Sequence, residues 1–225
     1  IIQGITGPIP VSSSGHLLIC QKLLKGLDTI DYGILATITN FGSLLAILIL
    51  FRKKIIKLIK GFFSYIKTKE KKYYDDYKYS WYIVLATIPA GLVGLIVEKL
   101  GLFDFLEENV KFVGLTLLIT SIFLFVIKDF KGIKESKKLT LKDAITIGLF
   151  QVVALLPGIS RSGATIVGGM FRNLKREVAF DFSFILYIPI SIATAILGIK
   201  DLLEASLTLT QYIYYGISMT MAFIF

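Results

Sequence analysis

Leu156-Pro157-Gly158-Ile159-Ser160-Arg161-Ser162-Gly163-Ala164-Thr165-Ile166 decides how this chain folds. Before it, Ala144 to Leu156 is apolar yet too short to cross a bilayer, which takes a helix of ~20 residues. Pro157-Gly158 stops that helix, because proline lacks the N–H and glycine readily leaves helical geometry. A second short apolar piece, Ala164 to Phe171, follows the polar turn, and Arg172, Lys175 and Arg176 close the unit. Basic residues flank both sides, so the economical path is a re-entrant helical hairpin that enters from the cytoplasm and returns there. Irregular backbone at membrane depth survives only where protein or water satisfies it, so the polar turn should line a cavity.

The chain makes this unit twice. A shift of 148 residues places Gln3 on Gln151, Ser12 on Ser160, Ser14 on Ser162, Gly15 on Gly163, and the apolar span from Tyr32 on that from Phe180. The first copy reads Ile9-Pro10-Val11, then Ser12-Ser13-Ser14-Gly15-His16, then Leu17 to Cys20. Cys20 is the single cysteine, so no intramolecular disulfide can form.

The membrane assignment rests on composition: 55% hydrophobic residues and a mean hydropathy of +0.74 exceed what a soluble core hides. Near-continuous apolar runs extend over Tyr32 to Phe51, Trp81 to Val97, Val110 to Ile127, Phe182 to Ile199 and Leu209 to Phe225. The net charge of +9 is concentrated in blocks. Arg52 to Lys78, read as a loop, has ten Lys or Arg against Glu70, Asp75 and Asp76, and Lys128 to Asp143 has six Lys against three acids. Such blocks mark cytoplasmic loops rather than a nucleic-acid surface. Glu98 to Lys111, with four acids and two lysines, belongs outside. This topology sends the first hairpin in from the outside, so the copies are inverted, as in transporters. The reading is all-α: a polytopic membrane protein with inverted repeats and two re-entrant helical hairpins. It forms one membrane domain over residues 1–225, with repeat one about 1–100 and repeat two about 110–225. Because Ile1 and Phe225 both lie inside apolar stretches, the chain is expected to be a fragment lacking both ends.

The hairpin tips would gather the hydroxyls of Ser12, Ser13, Ser14, Ser160 and Ser162, the only histidine, His16, and the Arg161 guanidinium. An arginine in lipid is costly without a partner, and its planar fork matches phosphate oxygens. Ser-Gly turns that open helices aim free N–H groups at an anion, and Gly15 and Gly163 allow close backbone approach. Ser13 and His16, three residues apart, share a helix face. These residues describe a phosphate pocket facing apolar segments. Serines and glycines in membrane helices also serve close packing, and that reading stands beside the first for each of them.

Three sets of residues resemble the signature of the bacitracin-resistance type undecaprenyl-diphosphate phosphatases: Gly4-Ile5-Thr6, Pro10-Val11-Ser12-Ser13-Ser14-Gly15-His16, and Leu156 to Ile166. Asn40 to Ala46, Ile88-Pro89-Ala90, Phe182-Ser183-Phe184 and Ile188-Pro189 extend the resemblance in order along nearly the whole chain. It implies removal of the terminal phosphate of a polyprenyl diphosphate, leaving the monophosphate carrier used in cell-envelope glycan synthesis. It implies Ser13 as candidate nucleophile, His16 as the group that activates or protonates, and Arg161 as the phosphate clamp. Gln3, Ser12, Ser14, Gly15, Ser160, Ser162, Gly163 and Thr165 would bind substrate. It further implies a divalent cation, Mg²⁺ or Ca²⁺, and a plasma-membrane site opening to the extracytoplasmic face. Expected partners are the lipid substrate and the membrane, with no nucleic acid and a homodimer left open.

The resemblance departs at one place. The family opens with Glu or Gln, three residues, then Glu; here Gln3 fits the first position but Gly7 holds the second. Hard cations favour carboxylate oxygens, which leaves Gln3 and Asp181 as the metal candidates. Two alternatives follow: a translocase for a polyprenyl phosphate, or an inactive homologue that only binds the lipid diphosphate because of Gly7.

Overall fold

The structure is a computed structural model that describes residues 2–7, 9–23, 31–102, 106 and 109–225. Ten α-helices follow one another among these residues: α1 (Ile2–Thr6), α2 (Ser13–Leu23), α3 (Tyr32–Leu50), α4 (Arg52–Thr68), α5 (Tyr74–Lys99), α6 (Val110–Ile127), α7 (Leu141–Val153), α8 (Arg161–Phe171), α9 (Arg176–Glu204) and α10 (Leu209–Ile224). The only β pairing among them is an isolated bridge between Lys134 and Leu174. Among the described residues four segments are long and apolar enough to cross a membrane: Tyr32–Leu50, Lys71–Lys99, Val110–Ile127 and Arg176–Glu204. The chain is therefore an all-helical, multi-pass membrane protein.

The basic stretch from Arg52 is not a loop. It forms α4, which ends at Lys69 in the left-handed region (φ 55°), and α5 starts at Tyr74, seven residues ahead of the apolar run. Clustered lysines hid a helix whose Leu58 and Gly61 face inward. A Cβ on Gly61 would meet the Asp76 side chain at 2.5 Å, so α4 and α5 pack closely there. The segment from Glu98 to Lys111, expected on the outside, includes residues outside the described set, 103–105 and 107–108.

Packing is unequal along the bundle. One end holds a continuous core of Leu58, Tyr79, Ile83, Ala86, Leu139, Ala144, Ile147, Met170, Phe182 and Leu186. Tyr79 and Phe182 meet edge to face, with ring centroids 5.4 Å apart, and a Cβ on Gly148 would come within 2.6 Å of the Ala86 carbonyl oxygen. Small residues thus set the crossing of α5 and α7, as helices in lipid require. Asp143 anchors this end with no exposed surface. Thr140 and Asp143 form a capping box at the start of α7, and the carboxylate accepts from Lys134 Nζ (3.0 Å) and Arg172 Nε (2.9 Å). Burial pushes this carboxyl up, but Thr140, Lys134 and Arg172 together outweigh it and hold it below its ordinary value. The opposite end, lined by the second halves of α5 and α9, is hollow.

Candidate functional site

The two broken units are α1–α2 and α7–α8, and each turn is built the same way. At the second, Gly158 adopts φ +91°, a conformation favoured by glycine. Ser160 then caps α8 by accepting from Gly163 N at 3.1 Å. At the first, Ser12 occupies the same place and accepts from Gly15 N at 3.3 Å. The hydroxyl pairs repeat as well, Ser12 to Ser14 and Ser160 to Ser162, both at 3.4 Å. The copies differ in that Ser12 itself carries the positive φ, +64°.

The tips meet, and the contact is reciprocal. A Cβ on Gly15 would come within 3.0 Å of Gly158 Cα, and one on Gly163 within 3.1 Å of the Pro10 carbonyl oxygen. Shifting by 148 residues exchanges the partners of one contact with those of the other, the pattern a two-fold relation produces. Both α2 and α8 start at this junction, so the positive ends of two helices of 11 residues each converge there.

Helix α6 satisfies the irregular backbone of the second tip. Thr116 Oγ1 donates to Pro157 O (2.5 Å), Thr120 Oγ1 donates to Gly158 O (3.2 Å), and Ser160 N donates back to Thr120 Oγ1 (3.1 Å). Without these hydroxyls the break would leave peptide groups orphaned in a bundle interior.

A cavity of about 500 Å³ opens beside the junction. Ser14, Arg161, Gln151, Glu98 and Thr194 supply its polar groups, while Leu95, Leu155, Leu156, Ile190, Ile196 and Leu197 supply apolar wall. Arg161 is positioned from α9: its Nη1 donates to Ser191 Oγ at 3.3 Å, and the guanidinium lies over the Tyr187 ring, 5.3 Å from the centroid. Tyr187 in turn donates to the backbone carbonyl (3.1 Å) and side chain of Asn40 on α3. Among the described residues no carboxylate lies within ion-pair distance of Arg161.

Of the residues expected from sequence, Ser14 and Arg161 line this cavity, and Gly15 and Gly163 form the contact that joins the tips. Ser12 and Ser160 spend their hydroxyls as helix caps. Ser13, half-buried, opens α2, and Ser162 is half-buried in the first turn of α8. His16 is exposed, and its Nδ1 lies 2.7 Å from Ser12 O. A carbonyl can only accept, so Nδ1 carries a proton, and in the neutral ring the lone pair falls to Nε2. Gln3 is buried in α1 and does not line the cavity. Thr165 is turned into the bundle, 2.6 Å from Ser183 Oγ. Asp181 bonds Lys54 Nζ at 2.5 Å rather than facing the cavity.

Sequence reasoning missed Gln151, Glu98, Tyr187 and Ser191. Glu98 read as a loop charge, but it ends α5 and is the one carboxylate on the cavity wall among the described residues. Gln151 was signalled by its match to Gln3, and the other two by nothing local.

The fold and site define a class: a multi-pass membrane protein whose two broken-helix tips meet beside a part-apolar cavity, with an arginine on one of them that has no carboxylate partner among the described residues. The bacitracin resistance protein BacA family matches residues 1–225, and the chain belongs to that family. It is 41% identical to undecaprenyl-diphosphatase 2 of Bacillus thuringiensis (strain Al Hakam), over all of this chain and 82% of that one. Undecaprenyl-diphosphatase 1 of Bacillus licheniformis is 44% identical over 90% of this chain and 74% of its own. The undecaprenyl-diphosphatase of Oceanobacillus iheyensis is 40% identical over all of this chain and 81% of its own.

Proposed function

We propose that the cavity holds the diphosphate of a polyprenyl lipid, and that the chain is an undecaprenyl-diphosphate phosphatase that releases the terminal phosphate and leaves the monophosphate. The observation that carries this is Arg161, a guanidinium with no carboxylate partner among the described residues, at the meeting point of two helix N-termini. A cation in that setting calls for an anion. The leucine and isoleucine walls accept the first isoprene units, and the rest of the tail passes into lipid.

Phosphoryl transfer mostly needs positioned charge. Arg161 and the amides opening α2 and α8 would hold the phosphates as negative charge builds on the leaving oxygen. The nucleophile would be a water or the hydroxyl of Ser13, which adjoins the cavity residue Ser14 without itself lining the wall, and His16 Nε2, which holds the lone pair of the neutral ring, would be its base. Among the described residues no three His, Cys, Asp or Glu side chains form a metal cage. Mg²⁺ commonly binds through one or two carboxylates plus substrate phosphates, and the cavity fits that mode: Glu98 would hold a Mg²⁺ or Ca²⁺ ion carried by the diphosphate. Such an ion would neutralise phosphate charge.

The broken pairs are read as re-entrant, in the plasma membrane. The basic blocks over Arg52 to Lys78 and Lys128 to Asp143 support a cytoplasmic side for that end of the bundle. The cavity takes Ala90 to Glu98 of α5 and Ile190 to Leu197 of α9, the ends remote from those blocks, which supports opening to the extracytoplasmic face.

The test is inorganic phosphate release from farnesyl diphosphate by the purified chain with Mg²⁺ or Ca²⁺. Release that Arg161→Ala abolishes is expected; release that survives it would remove the carrying observation. The reciprocal tip contact favours a second reading, a translocase, because transporters bind at such repeat junctions. Movement of labelled polyprenyl phosphate across vesicles without phosphate release would select it.

A further inference from the structure

Gln151 sits in the last turn of α7, where the chain is about to break, and it is only 2% exposed. It lines the cavity together with Arg161 and Ser14. Its Nε2 is fully shielded and has no hydrogen-bond partner among the described residues. An unmade buried donor is destabilising, and nearly all such groups in folded proteins are paired. Methionine or leucine would fill this place without the penalty. A neutral amide beside a guanidinium has one advantage: it adds a donor toward an anion without repelling the arginine.

We propose that Gln151 is a substrate-binding residue whose Nε2 donates to a phosphate oxygen of the diphosphate that Arg161 clamps. The assignment rests on the phosphatase reading above. Gln151 shares the cavity wall with Arg161, Ser14 and Glu98, the groups assigned to the phosphates and their cation, so the amide meets the headgroup rather than the tail. The repeat supplies a contrast. Gln3, its counterpart 148 residues earlier, is buried as well but does not line the cavity, so only one of the two equivalent amides faces the ligand. Here the function departs from the two-fold relation of the scaffold.

Two measurements on the purified full chain test the proposal: phosphate release from farnesyl diphosphate, and binding of farnesyl methylenediphosphonate, which cannot be hydrolysed at the bridge. Gln151→Met should unfold at or above the parent's temperature, since it removes an unmade donor. Its KM and its Kd for the diphosphonate should both rise at least about tenfold, the loss expected for a hydrogen bond to a charged group, while kcat changes far less. Gln151→Glu should weaken binding further, because a carboxylate would face phosphate. Gln151→Asn serves as a second probe should the methionine variant fail to fold, and it should show the same KM-weighted defect. KM and Kd within twofold of the parent in a folded variant would overturn the proposal. A parent that binds the diphosphonate but releases no phosphate would refute hydrolysis, and the binding arm would still decide Gln151. A parent that does neither would overturn both.

Discussion

Thr120→Val removes the hydroxyl that holds the second tip while keeping the shape of the side chain. Thr120 is 4% exposed, and its Oγ1 makes two bonds to the turn, one to Gly158 O (3.2 Å) and one from Ser160 N (3.1 Å). Hydrogen bonds between membrane helices average about 0.6 kcal/mol and reach about 1.7, while leaving a buried partner unmade costs roughly 1–3 kcal/mol. Two bonds lost together should therefore cost about 2–4 kcal/mol. Arg161 follows Ser160 directly, and displacing a reacting group by about 1 Å can lower a rate by ~100-fold. The expected result is a lower unfolding temperature in detergent together with a ten- to hundredfold fall in phosphate release, by roughly the same argument. Thr120→Ser, which keeps the oxygen, should restore most of both. Parent-like stability and rate in Thr120→Val would refute the reasoning that α6 holds the broken backbone.

Asp143 predicts an acid limit. Its folded pKa is lowered, so its contribution is complete above the ordinary value of about 3.9 and is lost as pH falls through the lower folded value. Asp143→Asn should cost about 2–3 kcal/mol near neutral pH, below the usual range for a broken buried pair because Lys134 and Arg172 are partly exposed. The variant's unfolding temperature should also fall less steeply under acid than the parent's. Gly7→Glu adds a carboxylate near the first tip, where a Cβ would lie 3.7 Å from Ser43 Oγ but 2.8 Å from the Gln3 carbonyl oxygen, so the end of α1 must shift to take it; phosphate release with Mg²⁺ should rise in the folded variant, and an unchanged rate would show that position 7 takes no part. A cysteine at Lys137 should react with an impermeant thiol reagent only from the cytoplasmic side, and one at Glu107, which lies outside the described residues, only from the other; the reverse pattern would invert the topology.

The breaks were legible because Pro157, Gly158 and the repeated Ser-x-Ser-Gly are local signals: both turns cap their second helix with the first serine, though only the second turn gives its positive φ to a glycine and the first gives it to Ser12. The spans were legible from hydropathy, except where charge masked periodicity, as in α4. The walls of the site were not. Tyr187 and Ser191 reach Arg161 across 26 and 30 residues of sequence, a convergence no spacing announces. Thr116 and Thr120 looked like ordinary members of an apolar span. Thr116 does bond its own helix at Val113 O, and its contact with Pro157 becomes visible only once the tip is in place. Glu98 was assigned by charge alone, and a carboxylate ending a helix at a cavity mouth looks, in sequence, like any loop acid.

An experimental structure with farnesyl methylenediphosphonate bound would probe the phosphate site most directly. The diphosphonate should sit within hydrogen-bond reach of the Arg161 guanidinium and the Ser14 hydroxyl, with its prenyl chain along Leu95, Leu155 and Ile196. Finding the ligand instead in the apolar cleft among Ile38, Phe41, Leu202 and Tyr212, with Arg161 still turned only to Tyr187 and Ser191, would contradict it.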